Sequence, residues 1–155
     1  MSDLGKDAEA RIKTWLDRPD EGYCLDRIKD QMTGWYGSQN ICDFTLFKYP
    51  YFYYLESKAT WNDRFDFNML SDYQYNQMYE KSSIEGVKCY VVVLFALYKR
   101  AFLLDIRDIH DLRENKNIKS VNIKKIAKWP IPYLEIKTVI SRKQLLDYSK
   151  VDNVL

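Results

Sequence analysis

Three residues in this chain of 155 have the types and spacing that a phosphodiester-cleaving site needs: Asp43, Glu56 and Lys58. Hydrolysis of a phosphodiester requires that developing negative charge be neutralised and that a water be made acidic, and a divalent cation supplies both. Such a cation is held by hard oxygen ligands, so carboxylates must converge on one point. On an extended strand Glu56 and Lys58 would share one face, about 7 Å apart, because side chains repeat every two residues. Glu56-Ser57-Lys58 alone is weak evidence, since roughly half of chains this size contain a Glu-x-Lys by chance. A solvated strand face is the alternative reading. Against it stands the setting: two charges inside the aromatic tract Tyr51 to Ala59 need an explanation that a solvated face does not give.

The elements that must position these residues are readable from periodicity. Ile41 to Phe47 and Tyr51 to Ala59 both alternate, with Lys48-Tyr49-Pro50 between them, which predicts a β-hairpin with Asp43 at the start of its first strand. On the second strand Phe52, Tyr54, Glu56 and Lys58 fall on one face. Leu4, Ala8, Ile12, Trp15 and Leu16 recur at helical spacing before Pro19, predicting an amphipathic helix over residues 4–17. A second helix is expected over 71–82, with Ser71 as N-cap. Val87 to Phe95 is a nearly continuous β-branched and aromatic run, the pattern of a central strand covered on both faces, and Ala101 to Ile106 should pair with it. A last helix is expected over Ser141 to Ser149. Between the first helix and the hairpin, residues 20–39 read as a long irregular connection, which in a compact domain is usually functional or disordered. The sum is one α/β domain over residues 1–155, a mixed central sheet flanked by helices.

Composition narrows the classes of function. Hydrophobic residues make up 46% of the chain, enough for a core without staples. Cys24, Cys42 and Cys89 fit neither a disulfide framework nor paired zinc ligands, so free thiols are expected. No signal pattern and no apolar run near 20 residues is present, so the expectation is a soluble cytoplasmic protein with no membrane partner. A net charge of +2 does not announce a polyanion partner, and any nucleic-acid surface must come from segregated charge. Candidates for it are Arg27 and the later cluster Lys119, Lys124, Lys125, Lys128, Lys137, Arg142 and Lys143, although charge runs are as often plain solvated faces. His110 is the sole histidine, which argues against histidine-based nuclease chemistry and leaves it structural or exposed.

The order Asp43, hairpin, Glu56-Ser57-Lys58, helix with Gln74, then apolar strand resembles the PD-(D/E)xK nuclease superfamily, with its restriction-endonuclease-like fold. Within that superfamily it is most similar to the RecU-type Holliday junction resolvases. The matching stretches are Cys42-Asp43-Phe44, Tyr53-Tyr54-Leu55-Glu56-Ser57-Lys58, Phe67 through Met78, and Val87-Lys88-Cys89-Tyr90-Val91-Val92-Val93, with a fainter likeness from Trp129 to Tyr148.

The resemblance implies roles. Asp43, Glu56 and the main-chain carbonyl of Ser57 would hold Mg2+, with Mn2+ able to substitute, and Glu9 on the first helix would be a further acidic ligand. Lys58 would orient or deprotonate the attacking water, and Gln74 would help to position that water or the phosphate. Residues 20–39 correspond to an insertion that enters the centre of a four-way junction in such enzymes. Here Arg27, Lys29, Gln31, Trp35 and Tyr36 give that loop or short stalk the basic and aromatic content that DNA contact uses. The implied activity is resolution of branched DNA by paired symmetric nicks from a homodimer, and the short insertion suggests a phage-encoded version. A nuclease of the same core acting on other DNA, or a non-catalytic DNA-binding protein of the same fold, are the alternatives.

Overall fold

A computed structural model describes residues 3–29 and 39–136. Helix α1 (Asp3–Leu16) leads through a short 3-10 turn, Pro19–Glu21, into strand β1 (Cys24–Arg27). Strands β2 (Phe44–Lys48), β3 (Tyr51–Thr60) and β4 (Arg64–Asp66) precede helix α2 (Asp72–Lys81). Then come β5 (Val87–Phe95), β6 (Arg100–Asp105), α3 (Ile106–His110), β7 (Ser120–Asn122) and β8 (Leu134–Ile136).

Six strands form one mixed sheet in the order β1-β2-β3-β5-β6-β8, and β4 and β7 pair separately. The β2–β3 hairpin is antiparallel, as its alternation predicts, with Phe44 opposite Leu55 and Lys48 opposite Tyr51. β3 and β5 run parallel along nine register pairs, Phe52–Val87 to Thr60–Phe95. Parallel neighbours cannot be joined by a tight turn, and β4 together with α2 supplies the crossover. β6 returns antiparallel to β5, with Val93 opposite Phe102.

Each face of the sheet has its own core. Ala8, Ile12, Trp15 and Leu16 of α1 pack on Phe44, Leu46, Tyr53, Leu55, Tyr90, Val92 and Leu94. On the other face Tyr75 and Met78 of α2 and Ile106 and Ile109 of α3 pack on Val91, Val93, Phe95, Phe102 and Leu104. β5 therefore contributes alternate residues to both cores, which is why its sequence is apolar throughout rather than alternating. Trp129, just after the last 3-10 turns, lies against the rings of Phe95 and Phe102.

Helices α1 and α2, β3, β5 and β6 fall within a residue or so of their expected positions, whereas β2 starts at Phe44, three residues later than expected, so Asp43 precedes the first strand of the hairpin instead of opening it. Residues 20–39 do not form one irregular connection: the 3-10 turn and β1 occupy part of that span, and β1 pairs antiparallel with β2 over Cys24–Phe47 to Arg27–Phe44. The four-residue β1 alternates only between exposed and half-buried positions, a pattern too faint to distinguish from a loop. β4, β7 and β8, three residues each, are likewise absent from the sequence reading. The helix expected over Ser141 to Ser149 lies outside the described residues. The three cysteines are free. His110 is structural: its ring stacks on Tyr79 at 3.7 Å and its Nδ1 meets the Tyr75 hydroxyl at 2.7 Å. Among the described residues no helix is long and apolar enough to cross a membrane.

Ile12, 1% exposed, is the central contact of α1 with the sheet. Ile12→Ala should lower unfolding free energy by about 2–5 kcal/mol, whereas Lys13→Ala, on the exposed side of the same turn, should change it by less than about 0.5 kcal/mol. Urea unfolding of both variants measures the contrast.

Candidate active site

The last residue pair of the β2–β3 ladder is Phe44–Leu55, so beyond Leu55 the edge of β3 has no strand beside it. Asp43 takes over at that point. Its N–H donates to the Leu55 carbonyl at 3.1 Å, and its carboxylate accepts the Ser57 N–H at 2.9 Å. A side chain thus completes a main-chain edge, and the local chain path brings a carboxylate beside the residues that follow. Glu56 and Lys58 project from β3 on the face packed by α2, and Lys58 Nζ meets Glu56 Oε1 at 3.0 Å.

Glu56 is the most deeply buried charged side chain among the described residues, 2% exposed. Its second oxygen, Oε2, is buried and has no hydrogen-bond partner, and neither has the neighbouring Ser57 Oγ. Burial, with the negative charge of Asp43 added, pushes the Glu56 carboxyl up to about 7, while Lys58 and the side chain of Gln74 act in the opposite direction. Asp43 is also raised, by burial first and by the charge of Glu9. The Ser57 N–H, Lys58 and Arg27 oppose that rise. Burial and neighbouring negative charge thus act on both carboxylates in the same direction, raising both above the ordinary carboxylate range.

Gln74 is held by its own helix end. Ser71 and Gln74 form a reciprocal capping box, in which Ser71 Oγ accepts the Gln74 N–H at 3.1 Å and Gln74 Oε1 accepts the Ser71 N–H at 3.3 Å. The Ser-x-x-Gln spacing is a readable signature of that arrangement, and it leaves the side chain of Gln74 next to Glu56.

Glu9 and Arg27 are joined to each other. Arg27 Nε donates to Glu9 Oε2 at 2.7 Å and Nη2 donates to Oε1 at 3.2 Å, a fork across a separation of 18 residues. Both Glu9 oxygens are therefore engaged by Arg27, and among the described residues no three His, Cys, Asp or Glu side chains gather tightly enough to hold a metal ion. Asp43 and Glu56 are the two carboxylates that the site brings together, and the Glu9–Arg27 pair acts on Asp43 through its charges. Nothing in the spacing of Glu9 and Arg27 marks that pair in the sequence. Cys42, beside Asp43, is another neighbour it does not mark: buried, its thiol donates to the Phe44 carbonyl at 3.1 Å and burial pushes its pKa up to about 12, so it serves as packing.

Of the residues expected to touch DNA, Lys29 is exposed and its carbonyl accepts the Asn40 amide at 2.9 Å, pinning together the two ends of the stretch between them. Gln31, Trp35 and Tyr36, and Lys137, Arg142 and Lys143 of the basic cluster, lie outside the described residues. Lys119, Lys125 and Lys128 are exposed, while Lys124, also exposed, is engaged by Asp63 at 2.9 Å.

A model of the family described as RecU, recombination protein U, matches residues 25–151. The chain belongs to the RecU family. Among solved structures this RecU-family chain is similar to Hjc of Archaeoglobus fulgidus, described as a Holliday junction resolvase from an archaeal hyperthermophile. The two are 15% identical, with a TM-score of 0.53 and a superposition covering 77% of this chain and 89% of that one. At that identity the likeness establishes the fold: the six-stranded mixed sheet flanked by helices is shared with a resolvase structure. No curated protein matches the chain.

The raised Glu56 pKa has a testable sign. A carboxyl that titrates near 7 when folded but at its ordinary 4.5 when unfolded keeps its proton longer in the native state, so stability falls as pH rises through that window. In EDTA, Glu56→Gln should therefore gain on the wild type by on the order of 2–3 kcal/mol between pH 5 and pH 8. Denaturant titrations at the two pH values would show it; parallel behaviour of the two proteins would mean that Glu56 ionises normally.

Proposed function

We propose that this chain is a metal-dependent endonuclease that resolves four-way DNA junctions, with Asp43, Glu56 and Lys58 as its chemical centre. The RecU family is one of Holliday junction resolvases, and membership supports that function at its coarse level. The observation that carries the finer reading is the buried, partnerless Glu56 Oε2 between Asp43 and Lys58.

In this reading Asp43, Glu56 and the Ser57 carbonyl hold Mg2+, for which Mn2+ can substitute. When bound, the ion neutralises phosphate charge and acidifies the attacking water. Lys58 orients that water as the ammonium or, once it has given up its own proton, takes the water's, and its contact with Glu56 holds the amine beside that carboxylate. Gln74, held by the capping box, positions the water or a phosphate oxygen beside Glu56. Glu9, gripped by Arg27, acts on the site through its charge on Asp43; it becomes a ligand only if Arg27 releases an oxygen. The 20–39 segment contacts DNA through Lys29, Gln31, Trp35 and Tyr36, while Arg27 faces inward to Glu9.

A four-way junction has its own approximate twofold axis, so two identical sites related by twofold symmetry match two symmetric phosphates. A homodimer is therefore the economical architecture, with branched DNA as partner and the cytoplasm as compartment.

The test is cleavage of an end-labelled synthetic four-way junction beside linear duplex and single-stranded controls. With Mg2+ the wild type should give paired symmetric nicks, and EDTA should abolish them. Lys58→Ala should slow cutting by about 100-fold or more, the usual contribution of a proton-transfer group. Asp43→Asn should stop cutting yet bind the junction nearly as well as the wild type, because phosphate contacts made by lysines and arginines survive the loss of the metal. Metal-dependent cutting of the other DNAs instead would keep the active site and replace the substrate. No metal-dependent cutting of any of them would overturn the reading.

A further inference from the structure

One residue after β3 ends, Trp61 stands in solvent, 65% exposed, the most exposed tryptophan among the described residues. Three residues separate it from Lys58, which at the rise of a strand is about 10 Å. An indole so exposed would ordinarily sit on a loose loop, but the turn beneath it is pinned from several sides. Thr60 Oγ1 accepts the Asn62 N–H at 3.0 Å, and the Asp63 carbonyl accepts the Ile123 N–H at 2.8 Å. The Asp63 carboxylate accepts the Tyr98 hydroxyl and pairs with Lys124. Asp63 thereby ties three separate segments: its own turn, the β5–β6 connection and the turns that follow β7.

The same hub gathers positive charge. Arg64 is adjacent to Asp63, Lys99 to Tyr98 and Lys125 to Lys124, and all three are exposed. None of the three makes an ion pair among the described residues, while Asp63 is satisfied by Tyr98 and Lys124. The arrangement is an exposed indole on a pinned turn at the end of the strand that carries Lys58, with three exposed cations on residues next to those of the hub beneath it.

We propose that this platform binds the DNA at the branch point, with Trp61 stacking on a base pair face that the branch leaves uncovered and with Arg64, Lys99 and Lys125 on the adjoining phosphates. In a continuous duplex every base pair is covered on both faces by its neighbours, so an indole finds no face to take. Only a branch, nick or end presents one. Stacking is sequence-tolerant, since every base has a π face, and a pinned turn leaves little backbone freedom to lose on binding. Trp61 is thus a specificity-determining residue that favours interrupted over continuous DNA near the scissile phosphate. The inference rests on the reading of the chain as a junction nuclease.

Anisotropy of a fluorescent four-way junction and of a duplex of equal length, the ends of both closed by hairpin loops, titrated in EDTA with the full chain, tests it. Trp61→Ala should weaken junction binding by about 5- to 150-fold, the range for loss of one base–aromatic stack, and leave binding to the duplex interior and its salt dependence unchanged. Trp61→Phe should recover most of the loss. Arg64→Ala should instead weaken both DNAs and reduce the logarithmic salt slope by about 1. Because Trp61 is exposed, thermal unfolding of its variants should match the wild type. If the wild type prefers junctions and Trp61→Ala binds both DNAs as the wild type does, or loses both equally, this inference is wrong and the functional reading stands. A wild type with neither junction preference nor junction cleavage overturns both.

Discussion

The Glu56 carboxylate lies almost out of water, within reach of a second carboxylate and with one ammonium at hydrogen-bond distance. Burying charge is costly unless it is paired and hydrogen-bonded, and here the pairing is incomplete by one oxygen. The surrounding elements are arranged to sustain that shortage. The parallel β3–β5 ladder fixes the strand that bears Glu56, α2 covers its face, and Asp43 occupies the edge that β2 vacates. A more relaxed structure would let the carboxylate swing out to solvent. Rigidity on three sides keeps two like charges together.

Electrostatics extends that frame outward. Arg27 offsets part of the charge at Asp43, yet its guanidinium forks on Glu9, which adds negative charge to the same neighbourhood. The edge strand β1 and helix α1 are thereby coupled to the site. The Ser71–Gln74 capping box does similar work from the opposite side: a helix terminus satisfies its own N–H groups and in doing so fixes a side chain beside Glu56.

Much of this architecture was legible because strong periodicities carried it. The alternation through Tyr51 to Ala59, the unbroken apolar run of β5 and the 3.6-residue stripe of α1 each bury enough side chain to dictate their own element. Glu56 and Lys58 were legible on one face because side chains alternate along a strand, and the hairpin signal set Asp43 near the start of the first strand, where its carboxylate accepts the Ser57 N–H. What escaped was held by tertiary contacts with no local period. β1, β4, β7 and β8 are three or four residues long and exist because a neighbouring edge accepts them. The Glu9–Arg27 fork joins residues 18 apart, and the Asp63 hub joins the chain at positions 63, 98 and 124. No spacing rule in a single sequence marks such meetings.

The stretch recognisable as RecU begins at residue 25, but the helix that closes one face of the sheet lies before it. Ala8, Ile12, Trp15 and Leu16 are walls of the α1-side core, and Glu9 reaches the site's electric field from the same helix. The matched stretch and the packed unit therefore have different boundaries in this chain. The part that identifies it would, on its own, present Phe44, Leu46, Leu55 and Val92 to water, so the less recognisable N-terminal helix belongs to the smallest unit that can hold the site together.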